Sequence, residues 1–268
     1  MEINRNNVIE IAKDFGVRPD KDYGQNFLID PNICLKIVQN FTFFDKATVL
    51  EVGPGLGSLT HFFNAAQVNY TGVDIDRRMI DFLKYNYKED NLKFIQSDIR
   101  NYDVSNYDFI CGNLPYNITT GLISYLLIKA EKCQKFVLMC QSETLNHFLD
   151  VSGKEYGPTS ILIHLLGDIR RLFNVKPGAF YPSPKCSSTV FEIVINKEVD
   201  RKEAINTYVF SKKMFLNRRK TILNNLVNEL KDKEKAIRVL EKCSISITDR
   251  PESISPDLFL KLSKEICE

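Results

Sequence analysis

The chain has 268 residues, 44% of them hydrophobic and 26% charged, the make-up of an ordinary soluble globular protein of one large or two modest domains. No run approaches 18 consecutive apolar residues, and "MEINRNNVIEIAKDFG" carries acids and amides where a signal peptide would have an apolar core, so a cytoplasmic protein is expected. The net charge of +2 is unevenly spread: residues 197–268 hold 16 Lys and Arg against 12 Asp and Glu, whereas the first 196 hold 20 against 22.

A basic tail on a weakly acidic body is compatible with a polyanionic partner, and equally with a solvated surface. Cys34, Cys111, Cys133, Cys140, Cys186, Cys243 and Cys267 are odd in number, scattered and never spaced as CxxC. Neither a disulfide framework nor a zinc site is expected from them. His61, His147 and His164 fit no metal or triad spacing, so no metal is assigned.

In chain order, "ATVLEVGPGLGSLTHFF" reads as a strand, a glycine-rich turn and a helix start; "VNYTGVDID", "LKFIQSDI" and "YDFICGNLPY" read as three more strands. "MIDFLKYNYK" and "TTGLISYLLIKA" are helical patterns between them, and this alternation implies βαβ units and a mainly parallel sheet. "KFVLMCQSE" and "STVFEIVIN" add strands, and the charge-rich "KEVDRKEA" marks a boundary at 196/197. Beyond it, "MFLNRRKTILNNLVNEL", "EKAIRVLEKC" and "SPDLFLKLSKEI" have apolar residues at helical spacing, which makes the tail a small helical domain. Within the first of these, Lys212 and Arg219, and likewise Lys213 and Lys220, stand one heptad apart, so a continuous helix would place them near one face with Arg218.

Three successive strand tips end in chemistry-bearing residues. Gly53, Gly55 and Gly57 let the backbone approach a ligand closely, but Ser58 stands where the dinucleotide pattern GxGxxG needs glycine, which argues against NAD. Asp74, 21 residues beyond Gly53, suits ribose hydroxyls; Asp98 suits an adenine amine; Asp76 suits a helix N-cap. Together they point to a nucleoside pocket.

These residues, with "YGQNFLIDPN" before them and "GNLPYNIT", "EYGPTSIL", "FNVKPGAFYPSPKCSSTVF", "FLNRRKTILNNL" and "DRPESISPDLFLKL" after them, resemble the KsgA-type ribosomal RNA adenine dimethyltransferases over nearly the whole chain. The resemblance implies a Rossmann-like class I methyltransferase: a mainly parallel seven-stranded sheet in residues 1–196 that binds S-adenosylmethionine, and an all-α RNA-binding domain in 197–268. Gln25, Asn26, Leu28, Gly53, Gly55, Asp74, Ile75, Asp98, Ile99 and Asn113 would hold the cofactor. Adenine's exocyclic amine is a poor nucleophile because its lone pair is delocalised into the ring. The resemblance gives the Asn113 side-chain carbonyl and the Leu114 backbone carbonyl the task of gripping its two N–H bonds, with Pro115 fixing the turn, Tyr116 stacking on the base and Phe180 as a second aromatic nearby. Lys212, Lys213, Arg218, Arg219 and Lys220 would meet RNA phosphates.

The implied activity is transfer of methyl groups to two adjacent adenines of a small-subunit ribosomal RNA hairpin during ribosome assembly, by a monomer acting on a subunit precursor. An Erm-type enzyme that methylates large-subunit RNA shares the fold and the asparagine-proline-tyrosine site, and a non-catalytic assembly factor is a further reading. Ser142 and His147 depart from the basic residues the family is expected to carry there, and Cys186 replaces an aliphatic residue.

Overall fold

The structure is a computed structural model that describes residues 3–16, 25–196 and 198–267. Tyr23 and Gly24 of the N-terminal motif, and Lys197 at the expected boundary, lie outside the described residues. The first half runs α1 (Val8–Asp14), β1 (Phe27–Leu28), α2 (Pro31–Val38), β2 (Thr48–Val52), α3 (Thr60–Ala65), β3 (Asn69–Asp74), α4 (Arg77–Asn86), β4 (Leu92–Gln96), β5 (Phe109–Asn113) and α5 (Thr119–Lys129). There follow β6 (Lys135–Gln141), α6 (Ser142–Leu149), α7 (Pro158–Leu166), β7 (Gly167–Val175), β8 (Phe180–Tyr181), β9 (Ser188–Ile195) and then α8 (Arg201–Phe215), α9 (Ile222–Leu230), α10 (Lys233–Lys242) and α11 (Pro256–Cys267).

Seven strands form one sheet in the order β4-β3-β2-β5-β6-β9-β7. The pairs β2–β3, β3–β4, β2–β5 and β5–β6 are parallel, and β9 runs antiparallel to β6 with Gln141 opposite Ser188. The central strands are apolar and β-branched because helices cover both faces: Val49, Leu50, Ile110, Cys111, Val137 and Leu138 are all essentially inaccessible. Chain order runs from β2 outward to β3 and β4, then returns to β5 on the other side. That reversal opens a crevice at the carboxyl ends of β2 and β5, where open α/β sheets bind ligands. Gly112 on β5 is required by this geometry, since a Cβ there would lie 2.6 Å from the Val52 carbonyl oxygen on β2.

The six strands expected from the sequence are present. β7 completes the seven strands that the resemblance implies but was not located from the pattern, because "GDIRRLFNV" alternates poorly; it lies at the sheet margin, where one long side of a strand need not be apolar. Helix starts follow local chemistry: Asp30 caps α2 through Asn32 N at 3.0 Å, and Asp76 caps α4 through Arg78 N at 3.0 Å, as its position suggested.

The described residues fall into two compact units, one reaching to Ser142 and including Arg170–Val194, the other Glu143–Ile169 with the residues from Ile195 onward. A linear division at 196/197 therefore assigns 143–169 differently from the packing, because α7 lies against α8 and α11. Within the boundary stretch "KEVDRKEA", Asp200 caps α8 through Glu203 N at 3.0 Å. One expectation for the tail needs correction. "MFLNRRKTILNNLVNEL" is not one helix: α8 ends at Phe215, and Thr221 opens α9 by accepting from Asn224 N. Arg218, Arg219 and Lys220 sit in the intervening turn, so they share no helical face with Lys212 and Lys213.

Candidate active site

A cavity of about 270 Å³ lies at the crevice, lined by the tips of β2, β3 and β5, the segment after β4, and Gln25 to Phe27. Gly55 has φ +54°, and a Cβ there would come within 3.0 Å of the Phe27 ring, so the turn must be glycine for the N-terminal segment to lie over it. Ser58, the residue that breaks the dinucleotide pattern, donates its hydroxyl to the Leu28 carbonyl at 2.5 Å and ties that segment to the turn.

Asp74 ends β3 almost fully buried, accepting from Gly55 N at 3.1 Å and Asp76 N at 2.9 Å. Burial outweighs these bonds and pushes its carboxyl up to about 6. Asp74 thus organises the glycine turn as well as lining the cavity. Ile75, 46% exposed, lines it too, and an apolar side chain left open at a cavity mouth is suited to a flat aromatic ligand. Asp98, Ile99 and Arg100 line the cavity as well, and Arg100 holds the Asp98 carboxyl below the usual carboxylate range by hydrogen bonding.

Asn113, at the tip of β5, donates through Nδ2 to the Asn26 carbonyl at 2.9 Å. That bond orients the amide, and its Oδ1 is buried with no hydrogen-bond partner among the described residues. A buried acceptor without a donor costs about 1–3 kcal/mol, so its presence at a cavity calls for a ligand N–H. Leu114, Pro115 and Tyr116 line the cavity beside it. The Pro115 carbonyl accepts from Ile118 N at 3.2 Å and Thr119 Oγ1 at 2.9 Å, closing the turn into α5. Tyr116 is half-buried, and its hydroxyl meets Ser188 Oγ at 2.7 Å, which fixes the ring's direction.

Of the residues expected at the site, Gln25, Asn26, Gly53, Gly55, Asp74, Ile75, Asp98, Ile99, Asn113, Leu114, Pro115 and Tyr116 line this one cavity. Leu28 and Phe180 do not. They face each other across the short β1–β8 ladder and are 5% and 3% exposed, because that pairing turns both into the core. The sequence reading missed Arg100, Ser188 and a buried trio beneath the turn. In that trio Tyr70 donates to Glu51 Oε2 at 2.5 Å and meets Thr60 Oγ1 at 2.8 Å. Burial pushes the Glu51 carboxyl up to about 7. Glu51 inside an otherwise apolar strand was the available signal.

In the second unit, Lys212, Lys213, Arg219 and Lys220 are exposed and Arg218 is half-buried. Arg218 bonds Glu252 at 3.0 Å and the Lys154 carbonyl at 2.8 Å, and Lys213 pairs with Glu229. His147 is held by Glu155 at 2.9 Å, while in the first unit Ser142 bonds Thr189 at 2.7 Å.

The family model for ribosomal RNA adenine dimethylases matches residues 17–268. The chain belongs to this family. It is 36% identical to the ribosomal RNA small subunit methyltransferase A of Malacoplasma penetrans over 245 residues, 89% of each chain. Its counterpart in Bacillus licheniformis is 32% identical over 277 residues, 97% of this chain and 95% of that one. A dimethyladenosine transferase from Plasmodium falciparum shares the fold with a TM-score of 0.73 at 24% identity, covering 88% of this chain and 95% of that one. The 23S ribosomal RNA methyltransferase ErmE does so with a TM-score of 0.68 at 18% identity, covering 91% and 100%.

As a ribosomal RNA adenine dimethylase, the chain is an S-adenosylmethionine-dependent enzyme that dimethylates adenine in ribosomal RNA. The cavity fits that cofactor: the glycine turn leaves room where a Cβ would intrude, Asp74 and Asp98 supply acceptors, and Ile75 and Ile99 supply apolar walls. Among the described residues no cluster of His, Cys, Asp or Glu is arranged to hold a metal ion, and no helix is long and apolar enough to cross a membrane.

Proposed function

We propose that this chain methylates two adjacent adenines of a small-subunit ribosomal RNA hairpin during subunit assembly. The observation that supports this reading most directly is the buried Oδ1 of Asn113, without a partner among the described residues, on a side chain that lines a nucleoside-sized cavity. The relatives' name directs it to the small subunit.

S-adenosylmethionine supplies a methyl group on a positive sulfonium, for which a neutral thioether is the leaving group. The residues of the chain supply position and polarity. Gln25, Asn26, Gly53, Gly55, Asp74, Ile75, Asp98, Ile99 and Asn113 hold the cofactor, Leu28 acting only through its carbonyl on Ser58. Asn113 Oδ1 and the Leu114 carbonyl accept the two N–H bonds of the target amine. That grip turns the amine toward tetrahedral geometry and directs its lone pair outward, so alignment and electrostatics carry the rate without a strong base. Tyr116, braced by Ser188, offers its face to the flipped-out base, offsetting unstacking by about 1–3 kcal/mol. Phe180 acts from beneath, as packing under the N-terminal segment.

RNA phosphates meet Lys212, Arg219 and Lys220, which are exposed; Lys213 and Arg218 join only by exchanging their carboxylate partners. The residues before 197 carry the cofactor site and those from 197 the RNA contacts, with 143–169 packing on the latter side. The protein acts as a monomer on a subunit precursor in the cytoplasm.

The test is methyl transfer from radiolabelled S-adenosylmethionine to purified small and large subunits from a strain lacking this gene, followed by nucleoside analysis. Dimethyladenosine in the small subunit alone is expected. Label in the large subunit alone would reassign the substrate, and label in neither would favour a non-catalytic assembly role.

A further inference from the structure

Arg100 is the only basic side chain among the described residues lining the cavity. Its guanidinium, 60% exposed, lies against Asp98, with Nη2 2.5 Å from Oδ2 and Nε 3.0 and 3.1 Å from Oδ1 and Oδ2. Its own backbone N–H also donates to Asp98 Oδ1 at 2.9 Å. A carboxylate offers about four lone-pair directions. Arg100 therefore covers most of the acceptor face of the acid to which a purine 6-amino group would donate. The backbone of Arg100 is anchored as well, its carbonyl accepting from the Tyr125 hydroxyl at 3.1 Å, so the side chain emerges from a fixed point on the cavity wall.

A guanidinium has donors only. Beside a 6-amino purine it adds no acceptor and takes acceptors away; beside a 6-oxo purine it offers a donor to the oxygen. We propose that Arg100 is a specificity-determining residue that relaxes the cavity's preference for a 6-amino over a 6-oxo purine in the bound cofactor. The proposal rests on the reading of this cavity as the cofactor site with Asp98 at the purine edge.

Calorimetric titration of the full chain with S-adenosylhomocysteine and with S-inosylhomocysteine tests it without relying on turnover. The wild-type chain is expected to bind both, and in Arg100→Leu the ratio of the two affinities should move roughly tenfold toward the adenine compound, the size of one hydrogen bond to a charged acceptor. Arg100→Gln, which keeps length without charge, should move it in the same direction, so the test survives misfolding of either variant. Adding Asp98→Asn should cancel the gain. An unchanged ratio in folded Arg100→Leu, or a gain that persists with Asp98→Asn, would overturn the proposal. If the wild-type chain bound neither compound, the cofactor reading itself would fall, an outcome distinct from binding both with an unmoved ratio.

Discussion

Replacing Asn113 by alanine should separate catalysis from folding, and the structure sets both magnitudes. In the fold, the substitution removes the bond from Nδ2 to the Asn26 carbonyl, about 1 kcal/mol, and also removes a buried acceptor without a partner, which returns about 1–3 kcal/mol of desolvation. Lost packing of the small side chain offsets part of that return. The net change is within about 1 kcal/mol, or roughly 2–4 °C in Tm for a chain of this size. In the reaction, loss of one preorganised hydrogen-bonding partner at the reacting amine should cost about 10²–10³ in rate, or roughly 3–4 kcal/mol. Single-turnover methyl transfer at saturating cofactor, a melting curve and cofactor titration on the same preparation measure all three quantities. The expected pattern is a rate lowered at least a hundredfold, a Tm within a few degrees of wild type and a cofactor affinity that falls far less than the rate, since the eight other cofactor residues remain. A rate within tenfold of wild type, or a cofactor affinity that falls as far as the rate, would refute the role given to Oδ1.

Glu51 and Asp74 predict a pH dependence of stability. Both are protonated more readily in the folded chain, at about 7 and about 6 against ordinary values of 4.5 and 3.8, because burial penalises their charged forms. Their contribution is therefore present in full below pH 4 and lost as pH rises through 6 to 7, where the folded chain must ionise them. Glu51→Gln should flatten the fall between pH 4.5 and 7 by roughly 3 kcal/mol, read from urea midpoints; an identical pH slope in the variant would mean Glu51 is ordinary in the fold. Gly112→Ala should destabilise by at least 1–3 kcal/mol, since the new methyl meets backbone and not a movable side chain; a wild-type urea midpoint would contradict the tight β2–β5 approach. Replacing Lys212, Arg219 and Lys220 by alanine should flatten the salt dependence of RNA binding by about two to three phosphate contacts, whereas Arg218→Ala should lower Tm through its lost bonds to Glu252 and Lys154; an unaltered salt slope would move the RNA elsewhere.

Local chemistry made much of this protein legible without coordinates. Alternation of apolar strands with helical patterns settles an α/β sheet, because the two periods bury opposite amounts of each element. Glycines after β2, the acids at the tips of β3 and β4, and "NLPY" after β5 mark one cavity because, in a parallel sheet, every strand tip of one sense emerges on the same side. The caps on α2 and α4 were equally readable, since Asp30 and Asp76 act on N–H groups two or three residues away.

What depends on residues far apart in the chain was hidden. Phe180 and Leu28 looked like ligand contacts, but 151 intervening residues return β8 to β1 and turn both inward. Arg218 looked like a free cation beside Arg219, yet only folding brings Glu252 to it. Spacing along "FLNRRKTILNN" suggested a continuous helix, while Thr221 competes for the backbone locally and tertiary packing decides that it starts a new one. The bracing of Tyr116 by Ser188 likewise exists only in three dimensions: hydrogen bonds form at about 3 Å, and sequence does not report which distant side-chain atoms come within that distance.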